Sequence, residues 1–248
     1  MNSPLPILVL MPGLDGTGTL FEDFVAALPS KFSKVVVRYP ADRCLSYAEL
    51  EECVADAASG SEPVVLLAES FSTPLAIRLA AKRPSNLAGL ILCAGFAACP
   101  VRGLLRSTAL GLAPILFRLP LPTSVLRALL AGRDARPPLV AAIRSAVLSV
   151  RRSVLSGRLR MVLRCDERMS LAEVGVPILY IQAEDDQLVR GGCLTEIQEI
   201  RPDIHAVCIA GPHLILQSRP KETARAVAEF VCSLGDAMIG EQGEFPTH

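Results

Sequence analysis

The chain has 248 residues, 25 acidic and 25 basic side chains, and a hydrophobic fraction of 51%. This composition supplies enough apolar side chains for a large core and argues against intrinsic disorder. A net charge of zero gives no sign of nucleic-acid binding, and the length suits one α/β domain with an insertion.

The eight cysteines include no C-x-x-C pair, and most have apolar neighbours in the sequence. They are therefore expected to be small buried side chains in a reducing compartment, without disulfides or a zinc site. The first four residues lack the basic segment of a signal peptide. The apolar run 84–101 contains proline and glycines, which indicate a strand with loops rather than a membrane span. A cytoplasmic location is expected.

A first strand is predicted over residues 5–11, and the loop Pro12-Gly13-Leu14-Asp15-Gly16-Thr17-Gly18 follows it. Three glycines in seven residues predict a backbone that comes close to another group. A phosphate-binding loop is one alternative. However, the glycines do not form G-x-G-x-x-G, and no Lys-Ser/Thr pair follows.

The next segments alternate between helix and strand. A helix is predicted over 21–28, a strand over 34–39, and a helix over 46–58 with Ser46 and Glu49 as a capping box. Such alternation predicts a mostly parallel sheet with right-handed crossovers, flanked by helices.

The stretch 63–92 contains the most informative motif. An apolar strand over 64–67 leads into Ala68-Glu69-Ser70-Phe71-Ser72, and a helical pattern with Pro74 in its first turn follows. A serine at the apex of a strand–turn–helix is the layout of a nucleophile elbow, which needs small residues two positions before and after the serine. Ala68 and Ser72 stand where glycines are usual. The alternative is that Ser70 is only a turn residue.

Beyond a strand predicted over 87–93, residues 99–168 change character. Helix-period apolar residues, interrupted by prolines, predict several helices inserted as a lid over the carboxyl edge of the sheet. This segment holds thirteen arginines and three acidic residues. The arginines form either a solvated outer face or a basic surface for transient contact with a membrane surface or an anionic ligand.

The remaining elements return to the alternating pattern. They are a short helix over 170–174, a strand over 177–181, a helix over 192–200, a strand over 205–210 and a helix over 220–234. Residues 235–248 are expected to be a flexible tail.

Of three histidines, only His213 lies at the carboxyl end of a predicted strand, where α/β proteins build their sites. His205 begins a strand and is expected to be structural, and His248 is in the tail.

The order of strand, small-x-Ser-x-small turn, helix and second apolar strand resembles the esterase and lipase members of the α/β-hydrolase superfamily. The resemblance implies an α/β-hydrolase fold, with a core of residues 1–98 and 169–234 and a helical lid of residues 99–168. The segments PGLDGTG and ESF are also similar to plant acyltransferases that make phytyl esters.

The resemblance also implies site residues. Ser70 would be the nucleophile and His213, in a Gly-x-His turn, the base. The pattern Ala183-x-x-Asp186-x-x-Val189 makes Asp186 the triad acid, with Asp185 as the alternative. Backbone N–H groups of Leu14 and Phe71 would form the oxyanion hole. No metal or cofactor is expected.

The sequence thus predicts a carboxylesterase- or lipase-type serine hydrolase for short to medium apolar acyl esters. An acyltransferase with the same triad, or a non-catalytic binding protein with this fold, remains an alternative.

Overall fold

The computed structural model describes residues 5–101, 103–117 and 122–241. Within these residues six strands form one parallel sheet in the order β2-β1-β3-β4-β5-β6. The strands are β1 (Ile7–Met11), β2 (Lys34–Val36), β3 (Val64–Glu69), β4 (Leu87–Cys93), β5 (Ile178–Ala183) and β6 (His205–Ile209). The predicted parallel sheet is confirmed, and β3 lies near its centre.

The central strands are apolar because both faces of the sheet are covered. Alternate residues of β1 and β3 point to opposite faces, so Val9 and Leu66 pack in one core layer while Leu8 and Leu67 pack in the other. Strand β3 is buried along its whole length, which fixes the position of whatever follows its carboxyl end.

Helices cover the two faces unequally. The helices of the sheet layers are α1 (Glu22–Ala27), α2 (Tyr47–Ala57), α3 (Thr73–Ala81), α8 (Arg168–Glu173), α9 (Gly192–Ile200), α10 (Ile215–Ser218) and α11 (Pro220–Glu241). Helices α2, α3, α8 and α9 pack on one face, and α1, α10 and α11 on the other. The predicted capping box at Ser46 and Glu49 is present at the start of α2.

A helical insertion lies between β4 and α8. It contains α4 (Leu104–Leu116), α5 (Thr123–Leu126), a π-helical turn (Arg127–Ala131), α6 (Pro137–Leu148) and α7 (Arg152–Arg164). Helices α4 and α7 are joined by hydrogen bonds from Ser156 Oγ to the Ala113 carbonyl, at 2.8 Å, and from Arg106 Nε to the Leu163 carbonyl, at 2.6 Å. A bridge between Ala98 and Asp166 closes the base of the insertion.

Some predicted boundaries differ from the structure. Strand β2 ends at Val36 rather than at residue 39, and the Tyr39 N–H instead donates to the carbonyl of Gly16. The prediction that the last helix ends at residue 234 was wrong, since α11 continues to Glu241 with Gly235 inside it, beside Leu5. The rest of the predicted tail, including His248, lies outside the described residues.

All eight cysteines are free thiols. Cys93, Cys165 and Cys193 are buried, whereas Cys44 and Cys208 are exposed, so the expected burial applies to only part of the set. Among the helices of the described residues, none combines the length and the apolar character needed to cross a membrane.

Candidate active site

Ser70 occupies the sharp turn between β3 and α3. Its φ of +49° lies in the left-handed region, which residues other than glycine rarely adopt. The strained conformation is held from both sides, because Ala68 and Ser72 are completely buried and the Thr73 hydroxyl donates to the Ser70 carbonyl at 2.8 Å. The half-buried Ser70 side chain is presented at the carboxyl edge of the sheet.

Ser72 uses its side chain to fasten this turn to the neighbouring loop. Its hydroxyl donates to the Pro12 carbonyl and lies 2.7 Å from the Tyr39 hydroxyl. Because Ser72 has a single proton, Tyr39 must donate to it. Burial raises the pKa of Tyr39 well above its usual value, so this donor stays protonated. The serine in place of the usual glycine therefore links the turn to the loop after β1.

His213 lies between Ser70 and Asp186. The His213 Nε2 atom is 2.9 Å from Ser70 Oγ, and Nδ1 is 2.7 Å from Asp186 Oδ2. Both His213 and Asp186 are buried. The carboxylate on Nδ1 favours the tautomer that carries its proton there, which leaves Nε2 free to accept the Ser70 proton.

Asp186 is held by its own loop. Its Oδ1 accepts the backbone N–H groups of Leu188 and Val189 at 2.7 and 2.8 Å, which leaves Oδ2 for His213. The alternative residue, Asp185, is exposed, and its backbone N–H donates to the Gly211 carbonyl at 2.9 Å. The geometry thus places Asp186, and not Asp185, beside the histidine.

The His213 turn is fastened to the insertion. The backbone N–H of Leu214 donates to the carbonyl of Leu130, in the π-helical turn, at 2.9 Å. His205 is exposed at the beginning of β6, at the opposite end of that strand from His213. Only one of the two described histidines therefore takes part in the site.

The loop after β1 folds back on itself. The Gly16 N–H donates to the Gly13 carbonyl at 3.0 Å, and Gly16 has a φ of +69° that favours glycine. Leu14 and Phe71, which were expected to supply the oxyanion donors, line the same cavity as Ser70 and His213.

Arg158 of α7 is buried under this loop with 2% of its surface exposed. It donates to the carbonyls of Leu14 at 3.0 Å, Asp15 at 2.6 Å and Pro40 at 2.9 Å. Both interpretations of the arginines of the insertion assumed exposed side chains, and for Arg158 that assumption was wrong. Its place in the helical repeat was a usable signal, because position 158 lies three or four residues from Val154, Leu155 and Val162, on the apolar side of α7.

Glu69, immediately before Ser70, is a buried carboxyl to which the sequence analysis gave no role. It is 2% exposed, and its Oε1 has no hydrogen-bond partner among the described residues. Burial is the main reason that its pKa is raised to about 7; Asp15 acts in the same direction, and the charge of His213 opposes the shift. A group with such a pKa changes its charge near neutral pH, beside the histidine.

A cavity of about 340 Å³ opens at Ser70 and His213. Its wall is almost entirely apolar and comes mainly from the insertion. The apolar lining includes Leu20, Phe96, Phe117, Leu126, Ile143, Val147, Leu155, Leu159, Val162 and Leu163. A group bound there would be surrounded by hydrocarbon except at the end that meets Ser70.

The part of the chain that the structure describes contains no cluster of three or more histidine, cysteine or acidic side chains arranged to hold a metal ion.

A model of the alpha/beta hydrolase family matches residues 8–226, and the chain therefore belongs to that family. The predicted superfamily and α/β-hydrolase fold are confirmed. No curated protein sequence matches the chain.

Solved structures show the same fold at low identity. A thermophilic esterase from Thermogutta terrifontis has a TM-score of 0.79 and 20% identity, covering 95% of this chain and 92% of its own. An enol-lactonase from Burkholderia xenovorans LB400 has a TM-score of 0.76 and 16% identity, covering 93% and 92%. A membrane phospholipase A, a bacterial virulence factor, has a TM-score of 0.76 and 19% identity, covering 93% and 79%.

Proposed function

We propose that this protein is a serine ester hydrolase that forms an acyl-enzyme on Ser70. The observation that carries the proposal is the hydrogen-bonded series Ser70–His213–Asp186, with distances of 2.9 and 2.7 Å, at the mouth of an apolar cavity. One of the proteins with a similar structure is named an esterase, which agrees with this reaction class.

Each residue has a defined task. His213 takes the proton of the Ser70 hydroxyl as the oxygen attacks the ester carbonyl, and then gives it to the leaving alcohol. Asp186 orients the imidazole and stabilises its protonated form. A water molecule, activated by His213, then attacks the acyl-enzyme and releases the acid.

The negative oxygen of each tetrahedral intermediate would accept hydrogen bonds from the backbone N–H groups of Leu14 and Phe71. The Gly13 carbonyl is held by the Gly16 N–H. In a trans peptide the N–H points opposite to the carbonyl, so the Leu14 N–H is directed away from the interior of the loop. This arrangement supports a donor that is oriented before the substrate binds.

The cavity supports a preference for apolar acyl groups of short to medium length. Its volume of about 340 Å³ lies at the small end of the range for ligand pockets, about 300–1,000 Å³. Apart from Asp15, Ser70 and His213 its lining is apolar, so a charged or strongly hydrated acyl group would be desolvated with little compensation.

The nucleophile is tested by covalent labelling with a fluorophosphonate probe and by turnover of p-nitrophenyl butyrate. One adduct is expected, on Ser70, and Ser70→Ala should lose at least about 10³-fold in kcat while remaining folded. The exposed Ser145 provides a matched control, Ser145→Ala, which should behave like the unmodified protein. Labelling at another serine, or an active Ser70→Ala protein, would refute the mechanism.

Hydrolysis and acyl transfer are separated by the fate of the acyl group. With a primary alcohol added at modest concentration, butyric acid should form faster than the butyrate ester of that alcohol. Predominance of the transfer ester would establish the acyltransferase alternative. A protein that reacts with neither probe nor ester would be a non-catalytic member of the family.

A further inference from the structure

Arg158 needs an explanation, because a buried guanidinium is costly unless it is compensated. All three of its described hydrogen bonds go to main-chain carbonyl oxygens. Two of those carbonyls, of Leu14 and Asp15, belong to the loop that carries one of the proposed oxyanion donors. The buried guanidinium therefore stabilises the backbone conformation of this loop.

The contacts form a continuous series of peptide groups. Arg158 donates to the Asp15 carbonyl, and the N–H of the same peptide, that of Gly16, donates to the Gly13 carbonyl. The N–H that belongs to the Gly13 carbonyl's peptide is that of Leu14. Two hydrogen-bonded peptide groups thus connect the guanidinium to the Leu14 N–H, and hydrogen bonds in such a series strengthen one another.

The same guanidinium also lies beside the second proposed donor residue. Its central carbon is 5.9 Å from the centroid of the Phe71 ring and 5.6 Å from that of Tyr39, both within cation–π distance. A Cβ atom on Gly16 would lie 2.4 Å from one of its nitrogens, so the loop backbone is packed directly onto it.

We propose that Arg158 is a positioning residue for ester hydrolysis, through which helix α7 of the insertion orients and polarises the Leu14 N–H of the oxyanion hole. The inference rests on the proposed function, and it assigns to the insertion a share in the chemistry as well as in the cavity wall. The competing explanation is that Arg158 only anchors α7 to the body of the protein.

The test compares Arg158→Gln and Arg158→Lys with Arg160→Gln, an exposed arginine of the same helix. Turnover of p-nitrophenyl butyrate is expressed per Ser70 titrated with the fluorophosphonate, so unfolded protein does not contribute. Inhibition by an alkyl trifluoromethyl ketone is measured for the same variants. The adduct of this ketone with Ser70 would place a negative oxygen in the oxyanion hole. Circular dichroism establishes that each variant is folded.

Arg158→Gln should lower kcat by about 10²–10³-fold, the usual effect of losing an oxyanion donor, with KM changed by less than about threefold. The affinity for the trifluoromethyl ketone should fall in parallel. An anchor alone would not move these two quantities together in folded, titrated protein. Lysine is a point donor on a flexible stem and does not reproduce the planar fork, so Arg158→Lys should also lose at least about tenfold in kcat.

Unchanged kcat per titrated site in Arg158→Gln would overturn the inference. If that variant does not fold, unchanged kcat in Arg158→Lys would overturn it equally, as would an equal loss in Arg160→Gln. These outcomes leave the hydrolase proposal intact. Absence of turnover and of labelling in the unmodified protein would overturn the proposed function and this inference with it.

Discussion

Replacing Glu69 by glutamine should make the protein more stable at alkaline pH and should remove one source of its pH dependence. Glu69 has a pKa raised from 4.5 to about 7 because it is buried with one oxygen unpaired. Its ionisation therefore opposes folding. The charged groups that act on it are His213, which lowers its pKa, and Asp15, which raises it.

The contribution of Glu69 to the free energy of unfolding depends on pH because its pKa differs between the folded and the unfolded chain. Below pH 4.5 the carboxyl is neutral in both the folded and the unfolded chain, so it costs nothing. Between pH 4.5 and about 7 only the unfolded chain ionises, and stability falls as the pH rises. The difference of about 2.5 in pKa corresponds to about 3 kcal/mol when complete, of which about 2.5 kcal/mol should be lost between pH 5 and pH 8.

The measurement is urea unfolding of the unmodified protein and Glu69→Gln at several values between pH 5 and pH 8. The difference between the two free energies of unfolding reports Glu69 together with its coupling to His213 and Asp15, because contributions of groups that do not interact with Glu69 cancel. Any fixed effect of the new amide is the same at each pH. The stability gained by Glu69→Gln should therefore increase by about 2.5 kcal/mol over this range.

The matched control is Glu199→Gln, at an exposed position of α9. Its free energy of unfolding should differ from that of the unmodified protein by the same amount at each pH. A constant difference for Glu69→Gln as well would mean that the buried carboxyl keeps an ordinary pKa, and the reasoning from its burial would be refuted.

Three further predictions concern the site. Asp186→Asn should lower kcat by orders of magnitude, while Asp185→Asn should be mild because only Asp186 contacts His213; the reverse result in ester assays would contradict the placement of the acid. Ser72→Ala should destabilise the protein by about 1–3 kcal/mol in urea, since the Pro12 carbonyl and the Tyr39 hydroxyl lose their buried partner, and an unchanged midpoint would exclude this role. Leu159→Phe should shift the preferred p-nitrophenyl ester towards shorter acyl chains by filling the cavity; an unchanged chain-length profile would show that the acyl group binds elsewhere.

The residues of the proposed triad could be placed from the sequence because each lies in a short segment with its own turn chemistry. Ser70 follows a buried strand and has small residues on both sides, and His213 follows the last strand after a glycine. The choice between Asp185 and Asp186 rested on a resemblance. The structure separates them physically, since one is exposed and the other is hydrogen-bonded to the histidine.

Other parts of the site depend on contacts between segments far apart in the chain. Arg158 meets the loop at Leu14 across 144 positions. The helical repeat places Arg158 on the apolar side of α7, but nothing in the sequence indicates which backbone it contacts there. Tyr39 was predicted to be the last residue of a strand, whereas it lies beyond β2 and donates to Ser72. Such partners become visible only when the packing is known.

The insertion is joined to both sides of the candidate site, through Arg158 on the Leu14 loop and through the Leu130 carbonyl on the His213 turn. This double attachment has a consequence for protein engineering. Exchanging the insertion with that of another family member, a common route to new specificity, would remove both attachments at once. In a functional chimaera, the other protein's loop after β1 and its histidine turn would have to be transferred together with the helices of its insertion. The unit of exchange in this protein is therefore three separate stretches of chain, and a transfer of the insertion by itself would change the surroundings of the proposed oxyanion donor and of the histidine as well as the cavity wall.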